Sequence, residues 1–214
     1  IKYEHIYKNI SEKYDYKKNY EENIEVDCNT LTGIKITYIN DPAGCLKVLF
    51  ERNMIDKSDV LLISNNAFHG HLNCLKYLHE NGCPWNSWAC QFAAASGHLD
   101  CLKYIHENGC PWSETTCSSA AYYGELDCLK YAHENSCSWN VWTCNFAAKE
   151  CRLDCLKYAH ENGCPWDGST CCNAAKNGHL NCLKYLHENG CPWDSLTCSS
   201  AARYGHLDCL KYAY

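Results

Sequence analysis

Methionine occurs once in the 214 residues, phenylalanine four times and proline five times, and no apolar run approaches the length of a membrane span. A bilayer crossing needs roughly 20 consecutive apolar residues. The longest stretches here are cut by Asp, Lys or His, so no membrane partner is expected. Positive charge is scarce too: 19 Lys and Arg stand against 25 Asp and Glu, a formal net charge of -6. Nucleic-acid and anionic-lipid binders concentrate Lys and Arg, so neither partner is expected. Motifs for nucleophilic catalysis, phosphate cradling and dinucleotide binding are missing as well. The chain is therefore read as non-enzymatic and without a cofactor. No signal peptide is visible, which suggests an intracellular protein. Because the chain opens on Ile1 and stops at Tyr214 inside a repeat, it is read as a piece of a longer one.

Cysteine, by contrast, is abundant, with 20 residues. In a short secreted chain that density signals a disulfide scaffold, but the positions point elsewhere. The motif L-[DN]-C-L-K-Y recurs with its cysteine at Cys74, Cys101, Cys128, Cys155, Cys182 and Cys209, every step being 27 residues. A fixed period of this size marks a solenoid, in which each unit buries its apolar face only against its neighbours.

One period reads as two helices and two turns. The second helix follows Gly97-His98 and carries Leu99, Cys101, Leu102, Tyr104 and Ile105 on one face, with Asp100, Lys103 and Glu107 opposite. The charged three are helical neighbours able to pair along the helix. Gly109 supplies a left-handed stop and Pro111 prevents resumption. Ser113 is a good N-cap for the next first helix, a place taken by Asp167 and Asp194 in later repeats.

This order resembles the ankyrin repeat. Ala93, Ala94, Gly97 and His98 match its A-A-x-x-G-H, and Asn108-Gly109-Cys110-Pro111-Trp112 falls where its x-G-A-D-V does. The ankyrin unit has about 33 residues, and the missing six or so fall where its β-hairpin finger would be. The implied fold is all-α: an ankyrin-like helix-turn-helix solenoid with shortened or absent fingers. The short form with N-G-C-P-W is similar to repeat arrays of giant DNA viruses of amoebae, which would place the protein in host cytoplasm. The resemblance covers residues 70–214, the last repeat being truncated. Residues 41–69 resemble a degenerate capping-type repeat, with Cys45-Leu46-Lys47-Val48-Leu49 in the place of a second helix. Residues 1–40, rich in Tyr and Lys, do not fit, and the alternation Ile34 to Tyr38 suits a strand or an eroded helix equally.

Seventeen of the cysteines share three registers that hold apolar core residues in the ankyrin pattern; Cys28, Cys151 and Cys172 fall outside. Free cysteine packs as a small hydrophobe. Equivalent thiols in stacked repeats are expected about 10 Å apart, too far for bridges, which need Cα atoms within about 7 Å. Zinc-type spacing is poor, Cys151-x3-Cys155 and Cys171-Cys172 being the nearest, so no metal ligands are assigned. His79, His106, His133, His160 and His187 each stand one turn before the turn cysteine. In the family, the histidine after Gly (His71, His98, His179, His206) bonds structurally between repeats. Trp85, Trp112, Trp139, Trp166 and Trp193 recur once per period and are read as packing between repeats.

Places that vary between near-identical repeats are free to serve a partner. Trp88 and Trp142 stand where other repeats have small or aliphatic residues. The most variable pair ends the first helix: Ala95-Ser96, Tyr122-Tyr123, Lys149-Glu150, Lys176-Asn177 and Arg203-Tyr204. In ankyrin arrays that helix end lines the concave groove. The expected binding residues are Trp88, Tyr122, Tyr123, Trp142, Lys149, Glu150, Lys176, Asn177, Arg203 and Tyr204. The function expected is that of a monomeric protein-interaction scaffold, its partner offering an acidic segment to the row Lys149, Lys176, Arg203. The alternative is a thiol-rich metal-binding or redox protein using the cysteine ladder.

Overall fold

The computed structural model describes Lys47 and residues 56–214 other than Asp194. The sequence expectations for residues 1–40, for the second-helix-like stretch at 45–49 other than Lys47, for Cys28 and Cys45, and for Asp194 lie outside the described residues. Over the described residues 56–214 twelve helices follow one another: α1 (Leu61–Phe68), α2 (Leu72–Glu80), α3 (Ser87–Ala95), α4 (Leu99–Glu107), α5 (Glu114–Tyr123), α6 (Leu126–Glu134), α7 (Val141–Lys149), α8 (Leu153–Glu161), α9 (Gly168–Lys176), α10 (Leu180–Glu188), α11 (Ser195–Arg203) and α12 (Leu207–Ala213). None is long and apolar enough to cross a membrane, and no strand occurs among the described residues. The described repeats carry no β-hairpin fingers.

Helices of seven to ten residues are too short to hold by themselves in water, so packing must stabilise them. The odd-numbered first helices lie closest to one another. Their contact faces are alanine pairs, Ala93-Ala94, Ala120-Ala121, Ala147-Ala148 and Ala174-Ala175, all without solvent exposure. Small side chains let the backbones approach. The second helices bury one leucine each at the same register, Leu75, Leu102, Leu129, Leu156 and Leu183, worth about 2 kcal/mol apiece by area removed from water.

The second helices α2, α4, α6, α8 and α10 end in the same way. Asn108 Nδ2 donates to Tyr104 O (2.8 Å), Gly109 N to His106 O and Cys110 N to Ile105 O, which satisfies the last carbonyls. Gly109 has φ 84, a left-handed value that glycine reaches without strain. Ser136 holds the equivalent place with φ 67. At the first helices, the side chains of Asn86, Asn140 and Asp167 accept from the N–H groups of Trp88, Trp142 and Ser169. Ser113 departs from the capping expectation: its hydroxyl bonds to Thr115 Oγ1 instead of a backbone amide.

The seams between repeats carry a side-chain ladder. His106 stacks on Trp112 with centroids 3.7 Å apart, and its Nδ1 is 3.0 Å from the hydroxyl of Tyr131 in the next repeat. Trp112 meets the same tyrosine edge-on, and Lys103 Nζ lies 5.7 Å from its ring centroid. The histidine–tyrosine bond recurs from His79, His133, His160 and His187 to Tyr104, Tyr158, Tyr185 and Tyr212. The second-helix lysines thus cover tyrosines of the following repeat, and among the described residues they form no ion pairs along their own helices. A cation over an aromatic face in a half-buried seam outweighs an exposed helical pair.

The repeat-register thiols are buried as expected of core residues, except Cys198, which is half-buried; Cys172 is half-buried too and Cys151 is exposed. Their pairing was not foreseen. The fold brings together cysteines of different registers within one helix pair: Cys90 with Cys110, Cys117 with Cys137, Cys144 with Cys164, and Cys171 with Cys191. The turn thiol also donates to the carbonyl before the first helix, as Cys137 Sγ does to Ser113 O at 3.2 Å. The partner thiol first and burial second push Cys90, Cys117, Cys144 and Cys171 far above the ordinary range. All four stay protonated.

Candidate functional site: the first-helix face

The variable residues at the first-helix ends project from backbone that the next repeat holds fixed. His179 Nε2 is 3.0 Å from Lys149 O, and His206 Nε2 is 3.0 Å from Lys176 O. At these two of its four places the histidine after glycine bonds between repeats, as the family pattern implies. Arg152 takes its place in the central turn and donates from Nε to Tyr122 O at 3.3 Å. A carbonyl held from the next repeat beneath a surface side chain gives a rigid surface whose chemistry can change without disturbing the stack.

On that backbone the expected residues form two groups rather than one open row. Around Tyr122, the Tyr123 ring lies 4.9 Å away and the Phe146 ring 5.7 Å away, and Trp142 reaches Phe146 at 5.6 Å. Lys149 Nζ lies 5.1 Å from the Tyr122 centroid and 3.2 Å from Glu150. Burial works against its charge, but the Glu150 bond and the Tyr122 hydroxyl outweigh it and raise its pKa. At the other group, Lys176 and Arg203 converge on Tyr204, 5.1 and 5.9 Å from its centroid. Asn177 Nδ2 is occupied by Asn173 O at 2.8 Å. Lys149 is thus spoken for by its carboxylate neighbour, while Lys176 and Arg203 remain exposed cations on an aromatic base.

Trp88 and Trp142 are 43% and 53% exposed, an unusual placement for the largest apolar side chain, and Leu196 is 60% exposed at the equivalent place. The full register reads Trp88, Thr115, Trp142, Ser169, Leu196, and one turn further along Phe92, Ser119, Phe146, Asn173, Ser200. Large apolar and small polar residues alternate from repeat to repeat, except that the second register ends on the polar Ser200. Phe92, Phe146 and Leu196 were missed as site residues, although this alternation was readable by aligning the repeats. With helices stacked at roughly 10 Å, the two tryptophan knobs stand about 20 Å apart. No gathering of three His, Cys, Asp or Glu side chains fit for a metal occurs among the described residues.

A family model described as ankyrin repeats (many copies) matches residues 63–106 and 171–214. Among solved structures, the crystal structure of the human ASB11 ankyrin repeat domain is similar in fold, with a TM-score of 0.62 and 21% sequence identity over 70% of this chain and 80% of that one. No curated protein sequence matches the chain.

Proposed function

We propose that this solenoid of ankyrin-type repeats binds a partner protein across its first-helix face, the concave side in ankyrin arrays. Ankyrin repeats are in general protein-interaction scaffolds and typically non-enzymatic. The observation that carries the reading here is the exposure of Trp88 and Trp142 at the capped starts of α3 and α7, with Tyr123 and Tyr204 also exposed. Interface hot spots are enriched in Trp, Tyr and Arg. Trp88, Tyr122, Tyr123, Trp142, Lys149, Glu150, Lys176, Asn177, Arg203 and Tyr204 make up the contact surface. Lys176 and Arg203 favour an acidic stretch at one end of the partner segment, with steering that weakens as salt rises. The protein acts as a monomer, and its 27-residue period with N-G-C-P-W suits a viral adaptor in host cytoplasm. The thiol-rich alternative is less well supported, because its thiols are mostly buried.

Panning a displayed peptide library on the full chain tests this. Selected segments are expected to lose binding to the pair Trp88→Ala/Trp142→Ala, and to lose salt dependence with Lys149→Ser/Lys176→Ser/Arg203→Ser, while thermal unfolding of both variants is unchanged. Equal binding to folded variants refutes the site.

A further inference from the structure

Among the described residues one cysteine is exposed, Cys151, in the turn between α7 and α8. Every other repeat has glycine at this place. A Cβ added to Gly70, Gly97, Gly124 or Gly178 would run into the side chain 28 residues ahead, respectively His98, Glu125, Arg152 and His206. That direction is a property of the stack. Cys151 has a real Cβ there, on left-handed backbone with φ 58, so its side chain is aimed at the start of α10, where His179 and Cys182 stand. Cys182 is fully buried, and Cys151 is near enough to act on its thiol.

We propose that Cys151 and Cys182 are a covalent modification site, a dithiol that hydroperoxide-class oxidants convert to a disulfide across the seam. The Cys151 sulfur attacks one peroxide oxygen and the O–O bond breaks. Cys151 becomes a sulfenic acid, and hydrogen peroxide leaves its other oxygen as water. The Cys182 sulfur then attacks the sulfenic sulfur, the S–O bond breaks, and hydroxide departs as water with the Cys182 proton. Two thiols lose two hydrogens and two electrons, and one peroxide is reduced to two waters. Burial first, and Cys151 second, push the Cys182 thiol up to about 12. It stays protonated until the sulfenic acid is beside it. The four thiol pairs inside the helix pairs are also close, but their members are at most 4% exposed. An oxidant in solution has no entry to them, whereas Cys151 offers it one.

The test treats the folded full chain with limiting hydrogen peroxide, without denaturant, then quenches free thiols and maps tryptic peptides. Cleavage after Lys149, Arg152, Lys176 and Lys184 leaves Cys151 in a three-residue peptide and Cys182 as the single cysteine of residues 177–184. The expected product is these two peptides joined, at a mass two hydrogens below their sum and separable by reductant. In Cys151→Ser the two-hydrogen loss slows by about tenfold or more, since the exposed thiol starts the reaction. In Cys182→Ala, Cys151 accumulates as a dimedone-trappable sulfenic acid. Should Cys182→Ala fail to fold, the wild-type peptide map decides alone. Rapid oxidation that joins other cysteines, or a Cys151 sulfenic acid that persists in the wild type, overturns the proposal.

Discussion

Replacing Ser136 by glycine removes a strained residue from the centre of the array. Ser136 has φ 67, where the equivalent Gly82, Gly109, Gly163 and Gly190 have 76, 84, 83 and 76. The left-handed region costs a residue with a Cβ about 1–2 kcal/mol, and glycine gives back about 0.5–1 kcal/mol through its freer unfolded chain. Space does not enter, because a Cβ at any of those four glycines meets nothing within 4 Å. Ser136→Gly is therefore expected to stabilise by about 0.5–1 kcal/mol, and Gly163→Ser to destabilise by a similar amount. Repeat arrays need not unfold in one step, so amide hydrogen exchange is the better assay. Exchange is expected to be fastest between Ser136 and Arg152, and Ser136→Gly should slow it there by roughly two- to fivefold. If Ser136→Gly leaves exchange unchanged or faster while Gly163→Ser is silent, left-handed strain is not what weakens this repeat.

Two further outcomes follow from the seams. Tyr158→Phe keeps the ring under Lys130 and against Trp139 but removes the bond to His133; it should cost about 1 kcal/mol in urea unfolding, and a loss near zero would show that stacking alone holds the seam. Burial first, then His69 and His98, lower the pKa of His71 from its ordinary 6.5. As pH falls below 6.5 the unfolded chain takes the proton first, so stability is full above that value and declines down to the folded pKa. His71→Gln should flatten this decline; an unchanged slope would place its origin elsewhere.

The period, the helix pair, the missing finger and the buried thiols were legible because each repeat states them again, so chance differences cancel. The glycine stops and the histidine after glycine were legible for the same reason. The seam ladder was not. His133 and Tyr158 are 25 residues apart, and nothing in a single helical face says that a lysine prefers the neighbouring repeat's tyrosine to its own helix's glutamate. The thiol pairs were not legible either, because Cys117 meets Cys137, a cysteine of a different register in the repeat. At the candidate surface, Lys149, Lys176 and Arg203 read as one cationic row. Side-chain geometry divides them, since Glu150 and Tyr122 occupy Lys149 while Tyr204 gathers the other two.

The seam ladder has a cost for assembly. Its five links use the same four residue types with nearly the same distances, so a repeat stacked one unit out of step would complete every link with the wrong neighbour. Local energetics cannot tell such a slip from the native order. The central unit can, because two of its residues fit one place in the succession: Arg152 meets the carbonyl of Tyr122 and Cys151 is directed toward Cys182. The most irregular repeat, and the least stable by the strain argument, is in this sense an index mark that counts the others into order.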